Sequence, residues 1–241
     1  MIQSSHLYAL IMPAFQPGSA AVDLAETLCR RSGCMLIVVN DGSSSGYQKV
    51  FEQLAAIENC TVLEHPTNCG KGRALKSAFS YLLENYPDLA GAVTADCDGQ
   101  HTATDILACL DSLRKNPEKL TVGVRDFTLK RIPWRNRWGN RISCWLFRRC
   151  FGIDLPDTQT GLRGIPAAFM QILLEKPGER FEFESIMLLE SCNKNNPQTF
   201  PLLPLPVQTL YPGNGKSCFC SIKDSLQILR VLLTHLTAVK K

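Results

Sequence analysis

Three short polar motifs carry the residue types that can do chemistry. Asp96-Cys97-Asp98-Gly99-Gln100-His101 follows the apolar run 90–95. Carboxylates at i and i+2 on an extended chain leaving a strand can address one shared site. A small number of hard oxygen ligands suits Mg²⁺ or Mn²⁺, which keep coordination positions open for phosphate oxygens. There the ion would neutralise the charge that develops on a departing nucleoside diphosphate. Val38-Val39-Asn40-Asp41-Gly42-Ser43-Ser44 places another carboxylate at the end of an apolar run, followed by glycine and hydroxyls. That carboxylate can accept hydrogen bonds from a base N–H or ribose hydroxyls, or simply cap a helix. Pro66-Thr67-Asn68-Cys69-Gly70-Lys71-Gly72 opens a helical stretch. Its glycines let backbone approach a ligand closely, and a helix N-terminus beside Lys71 favours anions. The glycine-x4-glycine-lysine-serine/threonine spacing of a Walker loop is absent.

The elements that must position these motifs follow from the apolar pattern. Runs at 7–14, 35–39, 61–63, 90–95 and 120–124 read as buried strands. Helical patterns at 20–32, 48–57, 72–86 and 104–115 alternate with them. This alternation predicts an α/β chain with a mainly parallel sheet flanked by helices on both faces. Ligands of such sheets sit beyond the carboxyl ends of the strands, which is where the polar motifs fall. After Val124 the alternation stops. A basic, tryptophan-rich segment follows, then Asp157-Thr158-Gln159-Thr160-Gly161-Leu162-Arg163, a helical stretch at 166–175, the segment 181–192, a proline-rich strand-like stretch at 199–210, and a last helix. That helix carries Ile222, Leu226, Leu229, Leu233 and Leu236 on one stripe, and packing on the domain is expected of it. No linker or repeat divides the chain, so a single domain over 1–241 is expected.

The 241 residues are 45% hydrophobic and 20% charged, which excludes disordered, collagenous and coiled-coil classes. No apolar run approaches the roughly 20 residues of a membrane span. The N-terminal Met1-Ile2-Gln3-Ser4-Ser5-His6 lacks a charged leader region, so a cytoplasmic location is expected. Eleven cysteines, with Cys218-x-Cys220 the one tight pair, read as reduced, buried or half-buried thiols rather than a disulfide framework or a zinc site.

The formal charge of +4 is local. Seven cations and no acid lie between Phe127 and Ile153 (Lys130, Arg131, Arg135, Arg137, Arg141, Arg148, Arg149), leaving 19 basic and 22 acidic residues elsewhere, a balance of −3. Trp134, Trp138 and Trp145 lie in the same stretch. On a helix, Trp134, Trp138, Ile142 and Trp145 or Leu146 form one stripe bordered by arginines. Such a stripe suits a membrane interface, where indoles sit at headgroup level, or a core-facing contact. Arg131, Arg135 and Trp138 are therefore candidate acceptor or membrane contacts. Nucleic acid is not an expected partner, because the rest of the chain is slightly acidic and lacks a binding motif.

Taken together and in this order, the motifs resemble an inverting family-2 glycosyltransferase of the GT-A fold. Within that family the sequence is most similar to the dolichyl- or polyprenyl-phosphate sugar synthases. Met12-Pro13-Ala14-Phe15 matches the family's Ile-Pro-Ala-Tyr, and Asn40-Asp41-Gly42-Ser43 its Asp-Asp-Gly-Ser. Asn68-Cys69-Gly70-Lys71-Gly72 matches Asn-x-Gly-Lys-Gly, and Asp96 to Gln100 matches Asp-x-Asp-x-Gln. Val122-Gly123-Val124-Arg125 matches the Gly-Ser-Arg strand, and Asp157 to Arg163 matches Asp-x-x-Ser/Thr-Gly-Phe-Arg. The likeness spans about residues 8–190, and 211–233 are similar to the end of soluble bacterial members.

The resemblance implies a nucleotide-sugar half at about 7–125 and an acceptor half at about 126–241. Pro13, Phe15 and Asp41 would hold the base and ribose of a UDP- or GDP-sugar. Lys71 lies in the implied nucleotide loop, and Asp96 would lie at the ribose and diphosphate. Asp98 with Gln100 would bind Mg²⁺ or Mn²⁺, and Arg125 would contact phosphate. Asp157 would act as base or orient the acceptor. Asn40 and Ile186 stand where the family commonly has acids, which leaves the carboxylates of Glu182 and Glu184 without a clear role. The implied acceptor is a lipid phosphate at an anionic membrane surface on the cytoplasmic face. A hydroxyl acceptor remains the alternative and would require Asp157 as general base. A non-catalytic nucleotide-sugar binding module is the lower alternative. Neither the base, the sugar nor the oligomeric state is readable from these residues.

Overall fold

The structure, a computed structural model, describes residues 7–127 and 134–208, apart from the side chains of 134–136. Seven strands form one sheet: β1 (Leu7–Ala14), β2 (Met35–Asn40), β3 (Cys60–Glu64), β4 (Leu89–Thr94), β5 (Leu120–Arg125), β6 (Arg163–Pro166) and β7 (Leu202–Val207), in spatial order β3-β2-β1-β4-β6-β5-β7. The first four run parallel in register, with Ala14 opposite Asn40 and Asn40 opposite Glu64. β7 runs parallel to β5.

Helices α1 (Ala20–Ser32), α2 (Gln48–Ala55) and α4 (Ala103–Lys115) cover one face. Helices α3 (Lys71–Asn85), α6 (Ala167–Leu174) and α7 (Glu182–Ser191) cover the other. With both faces covered, alternate strand residues serve alternate cores, which makes the strands continuously apolar. Ile11, Ile37 and Val39 pack against Leu75, Phe79, Phe169, Phe183 and Met187. Their neighbours Leu10, Met12, Leu36 and Val38 pack with Leu28, Phe51, Leu54, Ile106 and Leu110. α4 begins as expected of a capped helix: Thr102 Oγ1 accepts from the Asp105 N–H at 3.0 Å.

β6 departs from the sequence expectation of a broken-down second half. It inserts antiparallel between β4 and β5. Four residues beginning Arg163-Gly164 give no apolar run, and the strand forms because its neighbours leave backbone groups that must be paired. Its first side chain, Arg163, is fully buried.

α5 (Trp134–Phe151) has its inner side on Phe147 and Asn140, both buried. Asn140 Nδ2 donates to the Pro156 carbonyl at 2.8 Å, and its Oδ1 accepts from the Thr158 N–H at 3.2 Å. The tryptophan stripe faces outward: Trp138 is 57% exposed, Ile142 55% and Trp145 61%. The core-facing alternative is thereby excluded for these three residues, while Leu146 is half-buried on the inner side. No helix among the described residues is long and apolar enough to cross a membrane. The described cysteines are free thiols, buried or half-buried as expected except Cys192, which is exposed. Lys130, Arg131, the side chains of Trp134 and Arg135, the Cys218-x-Cys220 pair and the last helix lie outside the described residues.

Candidate active site

The carboxyl ends of β1, β2 and β4 bring the first two motifs together. The Asp41 N–H donates to the Ala14 carbonyl (2.9 Å), that of His65 to Asn40 (2.9 Å) and that of Ala95 to Ile11 (3.0 Å). Asp41, His65 and Asp96 therefore leave one edge of the sheet side by side. The strand order reverses between β1 and β4, since β2 and β3 lie on one side and β4 on the other. That is the crevice where open α/β sheets bind ligands. Pro13 and Phe15 are half-buried at its β1 wall.

Asp41 is buried and amply bonded. Its Oδ1 accepts from the Cys69 N–H at 2.9 Å and its Oδ2 from the Gly70 N–H at 2.8 Å, so it ties the glycine-rich loop to β2. His65 Nδ1 lies 2.8 Å from Oδ1, and its Nε2 lies 2.9 Å from Ser77 Oγ. A carboxylate only accepts, so a neutral His65 carries its proton on Nδ1 and accepts from the serine hydroxyl. Asn40, where the family has an acid, keeps an acid's turn function: its Oδ1 accepts from the Ser43 N–H at 2.9 Å. Gly42 has φ +68°, and a Cβ there would overlap the Thr67 backbone, so the two loops meet at a glycine. Asp41, His65 and Cys69 offer ligand atoms within 4.8 Å of one another. The hydrogen bonds just given account for that grouping.

Lys71 opens α3 and points into the crevice. Its Nζ lies 2.5 Å from Asp96 Oδ1 and 2.9 Å from Glu184 Oε1 of α7. Burial works against the ammonium, but the Asp96 and Glu184 carboxylates outweigh it and hold the Lys71 pKa above its ordinary value. Burial would raise Asp96, yet Lys71 and then His101 hold it well below the usual carboxylate range. His101 is buried with Nε2 3.5 Å from Asp96 Oδ2. Beneath them, Arg163 Nη1 donates to the Glu184 carbonyl at 2.5 Å and Nε to the Thr160 carbonyl at 3.3 Å. Burial lowers the Arg163 pKa, opposed by the charges of Glu184, Asp157 and Asp96.

Asp98 differs from Asp96. Burial and the neighbouring Asp96 charge raise its pKa. Its Oδ2 accepts from Gln100 Nε2 at 2.6 Å and its Oδ1 from the Gln100 N–H at 3.0 Å. The Asp98 carboxylate oxygens and the Gln100 amide oxygen are the hard donors at this point of the crevice, with the amide now turned to give Nε2 to Asp98. Asp98 and Gln100 therefore fit Mg²⁺ or Mn²⁺.

On the acceptor side, Arg125 and Asp157 form a forked pair. Arg125 Nε donates to Asp157 Oδ2 at 2.6 Å and Nη2 to Oδ1 at 3.0 Å. The N–H groups of Arg125 (3.2 Å) and Gln159 (3.0 Å) complete the carboxylate's partners, and Asp157 is fully buried. Beside Arg125, a cavity of about 430 Å³ is lined by Val124, Asp126, Phe127, Pro156 and Pro206.

Of the sequence candidates, the structure gathers Asp41, Lys71, Asp96, Asp98 and Gln100 at the sheet edge and joins Arg125 to Asp157. Trp138 stands apart on the outer face of α5. The sequence reading missed His65, His101 and Arg163 as partners of the acids, and left Glu184 unassigned. His65 carries no spacing signal, and His101 and Arg163 close the motifs 96–101 and 157–163 without showing which groups they meet. Glu184 meets Lys71 only through the packing of α7 on α3.

The Glycosyl transferase family 2 pattern matches residues 9–173. The chain is 24% identical over 223 residues to the UDP-N-acetylglucosamine–dolichyl-phosphate N-acetylglucosaminyltransferase of Methanococcus voltae, covering 85% of this chain and 86% of that one. Its fold is similar to glucosyl-3-phosphoglycerate synthase from Mycobacterium tuberculosis, crystallised with Mn²⁺, UDP and glucosyl-3-phosphoglycerate. The TM-score is 0.71 at 12% identity, over 98% of this chain and 81% of that one. TarS of S. aureus matches with a TM-score of 0.56 at 13% identity, over 94% of this chain and 39% of that one. With its GT-A sheet and a family match spanning most of the described chain, the protein belongs to glycosyl transferase family 2 and is a glycosyltransferase.

Proposed function

We propose that this enzyme is a metal-dependent inverting hexosyltransferase that moves sugar from a nucleoside diphosphate to a polyprenyl phosphate, as a peripheral protein on the cytoplasmic face of a membrane. The observation that carries the phosphate acceptor is the engagement of Asp157. The two oxygens of this buried carboxylate already accept from four N–H donors, two from a forked guanidinium and two from the backbone, which leaves no lone pair turned toward an acceptor hydroxyl. A hydroxyl acceptor needs a general base, whereas a phosphate monoester is already ionised near pH 7. The M. voltae relative is named for a dolichyl-phosphate acceptor, which supports the same reading.

Inversion is one in-line displacement at the anomeric carbon. The protein contributes positioning and charge stabilisation and needs no covalent nucleophile. Asp41 would accept from the base or ribose beside Pro13 and Phe15, and Asp96 would face the ribose and diphosphate. Asp98 and Gln100 would hold the divalent cation, which when bound supplies charge neutralisation to the leaving diphosphate. Arg125, oriented by Asp157, would face the acceptor phosphate. The cavity beside it, with Phe127, Pro156 and Pro206, suits the first apolar units of a lipid. The outward Trp138, Ile142 and Trp145, bordered by Arg141, Arg148 and Arg149, suit an anionic bilayer surface, each arginine adding about 1 kcal/mol.

The test is a panel of UDP- and GDP-hexoses offered with undecaprenyl phosphate and, separately, undecaprenol, reading products by mass. A hexosyl-phospholipid formed only with the phosphate and only with divalent cation is expected. Transfer to the alcohol in preference to the phosphate would overturn the acceptor assignment.

A further inference from the structure

We propose that the Lys71 ammonium is the resident cation of the donor site before the donor arrives, and that Glu184 is a positioning residue that keeps hold of it when the donor takes Asp96. The proposal rests on the donor reading above and adds an exchange of partners by one ammonium. Asp96, Asp98 and Glu184 crowd the crevice with three carboxylates, and Lys71 is the cation in contact with two of them. The contact is close enough to exclude any side chain at position 161. A Cβ on Gly161 would overlap Asp96 Oδ2 and fall 2.6 Å from Lys71 Nζ.

The diphosphate of an arriving donor would compete with Asp96 for the ammonium, and a cation held at Asp98 and Gln100 would repel Lys71 across the same crevice. Arrival of the donor therefore moves the ammonium off Asp96 toward the phosphate oxygens. The flexible four-carbon stem of lysine permits that movement, and its three donors permit a shared geometry. A buried ammonium stripped of all carboxylate partners would be strongly unfavourable. Glu184, fixed on α7 with its backbone carbonyl held by the buried Arg163, remains 2.9 Å away as its second partner. Lys71 thus travels between Asp96 and the diphosphate without being stranded.

The experiment separates metal alone from metal with nucleotide. Mn²⁺ binding to nucleotide-free protein is read by the EPR signal of free Mn²⁺. UDP and GDP binding in saturating Mn²⁺ is read by calorimetry. For Lys71→Met the two affinities move in opposite directions: Mn²⁺ alone binds on the order of tenfold tighter, and nucleotide on the order of tenfold weaker. Arg73→Met, which removes an exposed cation two residues along α3 that pairs with Glu179, changes Mn²⁺ affinity less than twofold. Lys71→Arg restores the cation and returns Mn²⁺ affinity toward wild type, guarding against a misfolded methionine variant. Glu184→Gln weakens nucleotide binding severalfold without tightening Mn²⁺ binding. Unchanged or weaker Mn²⁺ binding in Lys71→Met, or an equal effect of Arg73→Met, overturns the exchange. Failure of wild-type protein to bind UDP or GDP instead sinks the donor reading, and the metal-only arm still decides the role of Lys71.

Discussion

At the carboxyl edge of β1, β2 and β4, each acid already faces a partner; on the outer side of α5, large apolar groups lie exposed, with the Arg141 guanidinium over the Trp138 ring. Asp41 holds two loop N–H groups and an imidazole, and Asp96 holds Lys71. Trp138, Ile142 and Trp145 are more than half exposed, and Arg148 pairs with an exposed Asp154 at 3.6 Å. The sheet edge is preorganised, so its charges need little rearrangement when a charged ligand arrives. Contiguous exposed aromatic and aliphatic groups, as on α5, are the kind of surface that a membrane or a partner covers. Substitutions at the edge should therefore act on chemistry and nucleotide affinity, and substitutions on α5 on where the enzyme works.

The sharpest way to break that comparison is at Asp98. Asp98→Asn keeps the side-chain size and removes the charge that a divalent cation needs, so kcat/KM should fall roughly 10²- to 10³-fold, the scale of losing one preorganised electrostatic contact. Vesicle binding should be unchanged. Loss of membrane binding with retained turnover would reverse the roles assigned to the two regions.

Next comes the joint between them. Arg125→Lys retains charge but loses the fork that Asp157 grips through Nε and Nη2. A charge-assisted contact of this kind is worth about 1.5–3 kcal/mol, or roughly 10- to 100-fold in kcat/KM for the acceptor. Asp157→Asn should cost less, about tenfold, because it loosens Arg125 rather than removing it. If Asp157→Asn were the more damaging of the two, Asp157 would be a base and the acceptor a hydroxyl.

Much of the sheet edge was readable beforehand because its elements announce themselves. Strands β1, β2 and β4 are largely apolar runs, β2 leading into Asp41 and β4 into Asp96, and α3 begins where glycines and Lys71 stop the chain from extending. Their order alone placed those residues at one crevice. β6 was not readable: Arg163-Gly164-Ile165-Pro166 has neither length nor alternation, and it is a strand only because β4 and β5 pair with it. The Lys71–Glu184 contact was hidden for a related reason. Its partners lie more than a hundred residues apart, on helices whose packing is set by Phe79 and Phe183 rather than by any pattern around the charges. The stripe on α5 was visible as a stripe, but periodicity is the same for an inward and an outward face. Only the burial of Asn140 and Phe147 decides which way it looks.

The outward face is tested by Trp138→Ser with Trp145→Ser. Partition onto vesicles containing anionic lipid should fall about tenfold, the loss of two interfacial indoles, and the wild-type partition should weaken as salt rises. Nucleotide affinity should not change. An equal fall in nucleotide affinity would mean that α5 and the crevice are one site and not two.

The smallest effect separates the regions by thiol reactivity. Alkylation requires the thiolate. Burial pushes the Cys60 thiol up to about 12, which leaves roughly one group in 10⁴ ionised at pH 8. Cys109 is raised further by burial alone. Both should stay unlabelled in folded protein, while exposed Cys192 labels first. Cys97, between Asp96 and Asp98, and Cys69, in the loop held by Asp41, are half-buried at the crevice and should label slowly. Adding UDP or GDP with Mn²⁺ should slow those two a further severalfold and leave Cys192 unchanged, read site by site by mass spectrometry. Protection of Cys192, with Cys97 and Cys69 unaffected, would move the nucleotide away from the sheet edge to the far side of α7. The preorganised region would then not be the one that binds the donor.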